Sequence, residues 1–247
     1  MSIRLIALDM DGTLLDSNEE ISEENRRWIA EATRAGIHVC LATGRGIQNA
    51  LPYYQSLGLT TPMVLVNGSE IRQDADRVWR RITLQSDEVR RMREIALESG
   101  SWYWAYSASS GVFNRDNWEK APSQEQWLKF GFFEENDEVR EHIRGKLAEL
   151  GEFEVTNSHP CNLEINPRGV SKAAALREVC ARLGLEMGAV AAVGDSLNDV
   201  EMIKSAGFGV AMGNAQPAVK SAARWVTATN DEDGVALMIR KILEERL

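Results

Sequence analysis

Residues 5–17 read LIALDMDGTLLDS: four apolar residues run into Asp9, Asp11 stands two positions on, and Gly12 follows. Two carboxylates at the end of an apolar strand are costly, because crowded anions repel each other and lose hydration on burial. Strand residues two apart share a face, so Asp9 and Asp11 leave the strand end together, and Gly12 allows a sharp exit. An isolated acidic pair of this kind is ordinarily a loop with a helix cap. Three further clusters argue for chemistry instead, each at the carboxyl end of another expected strand, where open parallel α/β sheets bind ligands.

The first cluster is LATGR, in which Thr43 and Gly44 end a strand and lead into a helix. A hydroxyl and free backbone N–H groups at a helix N-terminus suit an anion, although Thr is also a routine N-cap. The overlapping GRGIQN nearly matches a dinucleotide fingerprint. Asn49 takes its third glycine position, however, and the next strand closes in Asn67 rather than an acid, which excludes that reading. The second cluster is GVSKAAAL, with Lys172 in the first turn of a helix. The helix dipole disfavours a cation there, so Lys172 is either a surface residue or the partner of an anion. The third is VGDSLND, with Asp195 at a strand end and Asn198 and Asp199 on the following turn. Carboxylates converging on one sheet mouth require a cation, and oxygen donors without His or Cys point to Mg²⁺.

Composition narrows the alternatives. A formal charge of −9 with dispersed Lys and Arg argues against nucleic acid. No apolar run approaches the ~18 residues that span a bilayer, and Asp9 comes too early for a secretory signal. Cys40, Cys161 and Cys180 lie far apart, and His38, His142 and His159 have no ligand spacing. Neither a disulfide framework nor a zinc site is indicated, and the expected compartment is the cytoplasm.

The elements that must position these groups alternate strand and helix, which implies parallel strands with right-handed crossovers. Residues 3–8, IHVCLAT, PMVLVN, AVAAVGD, FGVAM and RWVTAT read as strands. Helices are expected after Ser22, over GIQNALPYYQSLG, over GVSKAAALREVCARLG with Ala174, Leu176, Val179 and Leu183 inward, over LNDVEMIKSAG, and at the chain end. GSEIRQDADRVWRRITL reads as a hairpin around QDAD. The alternation is interrupted from about 84 to 165, so the expected division is a core of 1–83 and 166–247 with an inserted unit of 84–165. Within the insert a helix–strand–strand unit occurs twice, each helix opening on a Ser or Asn cap followed by Asp-Glu-Val-Arg. The expectation is a four-stranded antiparallel sheet with two helices on one face, its first hairpin turning at Ser109-Ser110-Gly111. Alternation puts Trp102, Trp104 and Tyr106 on one face and Tyr103 on the other. The tryptophans are expected to pack against the insert's helices. Were they to face the core instead, they would offer a ring-stacking surface, with Asn114 and Arg115 available to an anionic or hydroxylated substrate.

DMDGTLL, TGR, GVSK and GDSLND, in this order and at these separations, resemble the haloacid dehalogenase superfamily of phosphatases. The insert between LVNG and GVSK resembles the C2-type cap (αββαββ) of its Cof-like branch, subfamily IIB, as does AMGNA at 211–215. The resemblance implies a Rossmann-like core with helices on both faces and a Mg²⁺-dependent phosphatase acting on a small phosphorylated metabolite. Asp rather than Ser or Cys at position 9, together with Asp at position 11, implies a phosphatase rather than a mutase or dehalogenase, although phosphomutases share the pair. Asp9 would be the nucleophile: at a reference pKa of ~3.9 it is ionised at pH 7 and needs no base. Asp11 would be general acid and then general base. Asp9, the Asp11 main-chain carbonyl and Asp195 would hold the metal. Met10, Thr43, Gly44, Lys172 and Asn198 would bind phosphate oxygens, and Asp199 would orient Lys172 or a metal-bound water. Two other classes use similar residues. A phospho-Asp signalling module needs no inserted cap, and a nucleotide-sugar glycosyltransferase leaves Lys172 and GDSLND unexplained.

Overall fold

A computed structural model describes residues 2–109, 111–120, 125–245 and 247. The chain begins with β1 (Leu5–Leu8), α1 (Glu23–Arg34), β2 (His38–Leu41), α2 (Ile47–Ser56) and β3 (Met63–Leu65). Ser22 caps α1, its hydroxyl accepting from the Asn25 N–H at 3.1 Å, a contact typically worth about 1 kcal/mol. β4 (Glu70–Arg72) and β5 (Val78–Arg81) form the expected hairpin. β3 departs from expectation: it pairs antiparallel with β4 and reaches the main sheet only through the parallel Ala42–Val64 bridge. The turn after it explains why. Val66, Asn67 and Gly68 all take positive φ, at 50°, 57° and 98°, which reverses the chain at once into β4.

The insert runs α3 (Ser86–Ser99), β6 (Trp102–Ser107), β7 (Gly111–Asn114), β8 (Trp127–Phe133), α4 (Asp137–Leu150), β9 (Phe153–Thr156) and β10 (Asn162–Pro167). Its sheet has five strands rather than four, in the order β7-β6-β8-β10-β9. The additional strand, β8, is WLKFGFF, whose central Lys and Gly hide a strand that is buried almost throughout. α3 starts after Gln85, whose N–H is received by Glu88 at 2.7 Å, so Ser86 lies inside the helix rather than capping it. Of the expected turn, Ser110 lies outside the described residues. β10 ends in Asn166 and Pro167.

The chain returns through α5 (Lys172–Leu183), β11 (Val190–Gly194), α6 (Val200–Ser205), β12 (Phe208–Ala211), α7 (Pro217–Ala222), β13 (Trp225–Val226) and α8 (Gly234–Glu245). The main sheet is parallel, in the order β13-β12-β11-β1-β2. Ile6, Leu8 and Val193 pack on one face against α1, α2 and α8. Leu5, Ala7 and Ala192 pack on the other against α5. Covering both faces is what makes these strands apolar throughout. In α5 the inner residues are Ala173, Ala175, Leu176, Val179 and Cys180, whereas Ala174 and Leu183 are half-buried. The inward stripe is thus rotated from the expected one, because Lys172 itself turns inward.

The insert's sheet separates its two faces sharply. Tyr103, Ala105, Phe130, Phe132, Leu163 and Ile165 meet α3 and α4 in an apolar core. The opposite face carries Trp104, Tyr106, Lys129, Glu164 and Asn166, and it is this polar face that meets the main sheet's carboxyl end.

Candidate active site

Asp9 follows β1, Thr43 follows β2, Asp195 follows β11, and Lys172 opens α5, so all four gather at the carboxyl ends of the parallel strands. Lys172 is fully buried, and its Nζ lies 2.6 Å from Asp9 Oδ1 and 2.7 Å from Asp199 Oδ1. Asp199 is equally buried, and its Oδ2 accepts the N–H groups of Asp195 and Ser196 at 3.1 Å each. Gly194 makes that packing possible, since a Cβ there would lie 2.2 Å from Asp199 Cγ. Asp195 accepts from Thr13 Oγ1 at 3.0 Å and from Ser196 Oγ at 2.9 Å. Gly12, at φ +72°, lets the loop pass close to it: a Cβ would sit 2.8 Å from Asp195 Oδ2. Asp9, Asp195 and Asp199 each present a carboxylate oxygen within 4.8 Å of the others.

A cavity of about 640 Å³ reaches this cluster at Asp9, with Asp195, Asp199 and Lys172 behind its lining. Asp9, Asp11, Gly44, Ser196 and Asn198 line its inner end. Thr43 is buried behind it, its hydroxyl accepting the Arg45 N–H at 3.0 Å, and Met10 is buried as well. The Asp11 carboxylate is not part of the acidic cluster. Arg45 grips it with Nε at 2.9 Å and Nη2 at 2.5 Å.

The outer wall differs from expectation. Tyr103 faces the insert's helices and stacks on Phe130, while Trp104 and Tyr106 face the cavity. The tryptophans therefore do not pack against α3 and α4. β6 shows its alternate residues to opposite layers, and the apolar layer already takes Tyr103 and Ala105. Asn114 and Arg115 do not line the cavity. Arg45, Lys129 and Glu164 carry no expected role yet line the cavity, and Asn67 joins them through hydrogen bonds to Glu164 and Asn198. Arg45 and Asn67 were legible within TGR and LVNG. Lys129 and Glu164 show as charges in the middle of apolar strands.

The family model for haloacid dehalogenase-like hydrolases matches residues 6–141 and 112–239. The chain belongs to that family. Among similar proteins, the 5-amino-6-(5-phospho-D-ribitylamino)uracil phosphatase YcsE of Bacillus subtilis (strain 168) is 43% identical over 240 residues, covering 97% of this chain and 96% of its own. The YitU protein of the same organism, a phosphatase for the same compound, is 31% identical over 96% of each chain. The solved structure of a haloacid dehalogenase-like hydrolase from B. subtilis superposes with a TM-score of 0.87 at 28% identity, covering 96% and 99% of the two chains.

The electrostatics of this hydrolase site show a deficit of positive charge. Burial raises the Asp9 pKa well above the ordinary carboxylate range; Asp199 and Asp195 add to the rise, and Lys172 only partly offsets it. Asp195 is pushed up from 3.8 to about 6, chiefly by burial and then by Asp199. Burial works against the Lys172 ammonium too, but Asp199 and Asp9 outweigh it and raise its pKa. A site with all-oxygen donors and this imbalance fits a hard divalent cation. Among the described residues no helix is long and apolar enough to cross a membrane.

Proposed function

We propose that this chain is a Mg²⁺-dependent phosphatase that hydrolyses a small phosphate monoester through an aspartyl-phosphate on Asp9. The carrying observation is the Asp9 carboxylate, which lines the cavity while Lys172 holds it at 2.6 Å. In the first step an Asp9 oxygen attacks phosphorus in line, and the bond to the leaving oxygen breaks as Asp11 delivers a proton to it. In the second step water attacks the same phosphorus while Asp11 takes its proton. The bond to Asp9 breaks, and phosphate leaves with the carboxylate restored. For both steps the Asp11 carboxyl turns from Arg45 toward the leaving group. Met10 N–H, Gly44 N–H, Thr43, Lys172 and Asn198 would bind the phosphate oxygens.

Asp9, Asp195 and the Asp11 main-chain carbonyl would hold Mg²⁺. Asp199 serves Lys172 instead: it is fully buried, one oxygen meets the ammonium and the other accepts two backbone N–H groups, whereas Asp195 meets only two hydroxyls, which can turn away. When bound, the cation offsets repulsion between Asp9 and the anionic substrate.

We take residues 84–165 as a cap over a core of 1–83 and 166–247, supplying the wall that meets the leaving group. Trp104 and Tyr106 of the cap and Tyr53 of α2 give the cavity flat apolar surfaces, and Asn162 of the cap with Gln48 and Asn49 of α2 give it amides. Trp104 lies flat on Gly131, where a Cβ would fall 2.3 Å from the indole. A planar heterocycle on a phosphorylated polyol suits such a wall, and the 43% identical relative acts on a compound of that kind. Such a metabolite belongs to the cytoplasm, where we place the enzyme. The test is steady-state kinetics with Mg²⁺ on 5-amino-6-(5-phospho-D-ribitylamino)uracil, hexose phosphates and nucleotides. The ribitylaminouracil compound should show the highest kcat/KM, and EDTA should silence every reaction. Absence of phosphate release from the whole panel, or activity indifferent to EDTA, refutes the reading.

A further inference from the structure

A chain of buried hydrogen bonds runs from the insert's sheet to the phosphate end of the cavity, and its direction is fixed by chemistry. It begins at Glu164, which is 3% exposed. Burial disfavours its charge, but the Lys129 ammonium and the donors around it prevail and hold its pKa below the ordinary value. An ionised carboxylate only accepts. Glu164 Oε1 accepts from Lys129 Nζ at 2.8 Å and from Ser158 Oγ at 3.1 Å. Oε2 accepts from Asn67 Nδ2 at 2.7 Å. Asn67 must therefore turn its amide oxygen the other way, toward Asn198, whose Nδ2 donates to it at 3.2 Å. This leaves Asn198 with one amide hydrogen and its Oδ1. That oxygen is buried and has no partner among the described residues, although buried acceptors are rarely left so.

Lys129 carries a second branch. Its Nζ donates to the Gly44 carbonyl at 2.9 Å. Gly44 is packed onto the same network: a Cβ there would lie 3.1 Å from Asn67 Oδ1, 3.4 Å from Lys129 Nζ and 3.5 Å from Glu164 Oε2. The backbone is strained to deliver the Asn67 amide, since Val66 sits at φ 50° and Asn67 at φ 57°. A β-branched residue in that region is a steric outlier, and such strain persists only where the surroundings enforce it.

We propose that Glu164 is a positioning residue of the insert that acts through Asn67 and Lys129 to orient the Asn198 amide and the Gly44 peptide toward the phosphoryl group. The proposal rests on the phosphatase reading above. It makes the polarity of the phosphate site depend on a carboxylate that cannot itself donate to a phosphate oxygen. With Glu164 in place, Asn198 keeps one hydrogen for a phosphate oxygen and one acceptor for a water or hydroxyl beside it.

The test is a swap of donor and acceptor. Glu164→Gln allows the chain to reverse, because a glutamine amide donates to Asn67. Asn67→Asp sets two carboxylates against each other. Each single variant should lower kcat/KM on p-nitrophenyl phosphate, and weaken competitive inhibition by inorganic phosphate, by about tenfold or more, as for loss of a charged hydrogen bond. The double variant, Glu164→Gln with Asn67→Asp, restores the order of donors: the glutamine amide donates to the new carboxylate, which accepts from Asn198. It should recover both quantities to within about threefold of wild type, the non-additivity expected of one network. Thermal midpoints are measured alongside. A fall in midpoint with phosphate inhibition unchanged makes the network structural only and overturns the proposal. A double variant no better than its worse parent does the same, and it decides the matter even where one parent fails to fold. Wild-type protein that neither hydrolyses p-nitrophenyl phosphate nor binds inorganic phosphate with Mg²⁺ overturns the phosphatase reading itself.

Discussion

Replacing Asp195 with Asn should stabilise the metal-free protein above about pH 6 and leave it unchanged near pH 4. The sign follows from linkage. Burial, and next the Asp199 charge, push Asp195 from 3.8 to about 6, against the hydrogen bonds from Ser196 and Thr13. Between those values the folded protein binds a proton that the unfolded chain has released, so raising the pH across the window costs the folded state. A rise of roughly two units corresponds to about 3 kcal/mol. Asparagine cannot ionise, keeps an oxygen for the Thr13 hydroxyl, and escapes the penalty. It also removes one of the charges that raise Asp9, which adds to the difference in the same direction. Urea denaturation in EDTA from pH 4 to 7.5 measures it. The variant's advantage should grow from near zero to about 3 kcal/mol and disappear with saturating Mg²⁺, which stabilises only the wild type's full donor set. A difference independent of pH, or a wild type that gains on the variant as pH rises in EDTA, refutes the charge deficit on which the metal assignment stands.

Other perturbations separate the roles. Lys172→Ala leaves Asp9 and Asp199 without their shared cation. It should cost about 3–5 kcal/mol of stability and lower kcat about 10²–10³-fold, and kcat within twofold of wild type would remove Lys172 from the chemistry. Asp11→Asn should release about one equivalent of p-nitrophenol in a burst and then turn over slowly, because that leaving group needs no proton but the attacking water still needs a base; stopped-flow absorbance without a burst contradicts the assignment. Gly131→Ala drives a methyl into the Trp104 indole. It should raise KM for ring-bearing substrates while inorganic phosphate inhibits as before, and an equal change for hexose phosphates would detach Trp104 from specificity.

The parallel core was legible because its signals are local and redundant. Leu5–Leu8 and Val190–Gly194 are unbroken apolar runs, each ends in an acid, and Lys172 defies its helix dipole. Elements whose character depends on distant partners were not legible. The strand–helix alternation places β3 in the parallel sheet, whereas the left-handed turn from Val66 to Gly68 folds it back onto β4. The turn is held from far along the chain, where Asn166 Nδ2 donates to the Val66 carbonyl at 3.0 Å, and only glycine fits at 68, since a Cβ there would lie 2.5 Å from the Ser171 carbonyl.

β8 fails in a more instructive way. Lys129 and Gly131 break the apolar run that marks a buried strand, and both are there for the opposite face of the sheet. Lys129 stands across from Tyr106, and Gly131 across from Trp104 on one side and Glu164 on the other. A charge at 2% exposure is tolerable only where an acid and a carbonyl meet it, and those partners come from β10 and the loop after β2. The residues that look wrong for a strand are therefore the ones that join it to the site. A lysine or glycine interrupting an apolar run in such an insert is better read as a face turned toward the core than as a loop. Lys129→Met tests that inversion. It keeps the strand's length and apolar character but strands Glu164 without its cation, so it should damage stability and phosphate binding together rather than improve β8.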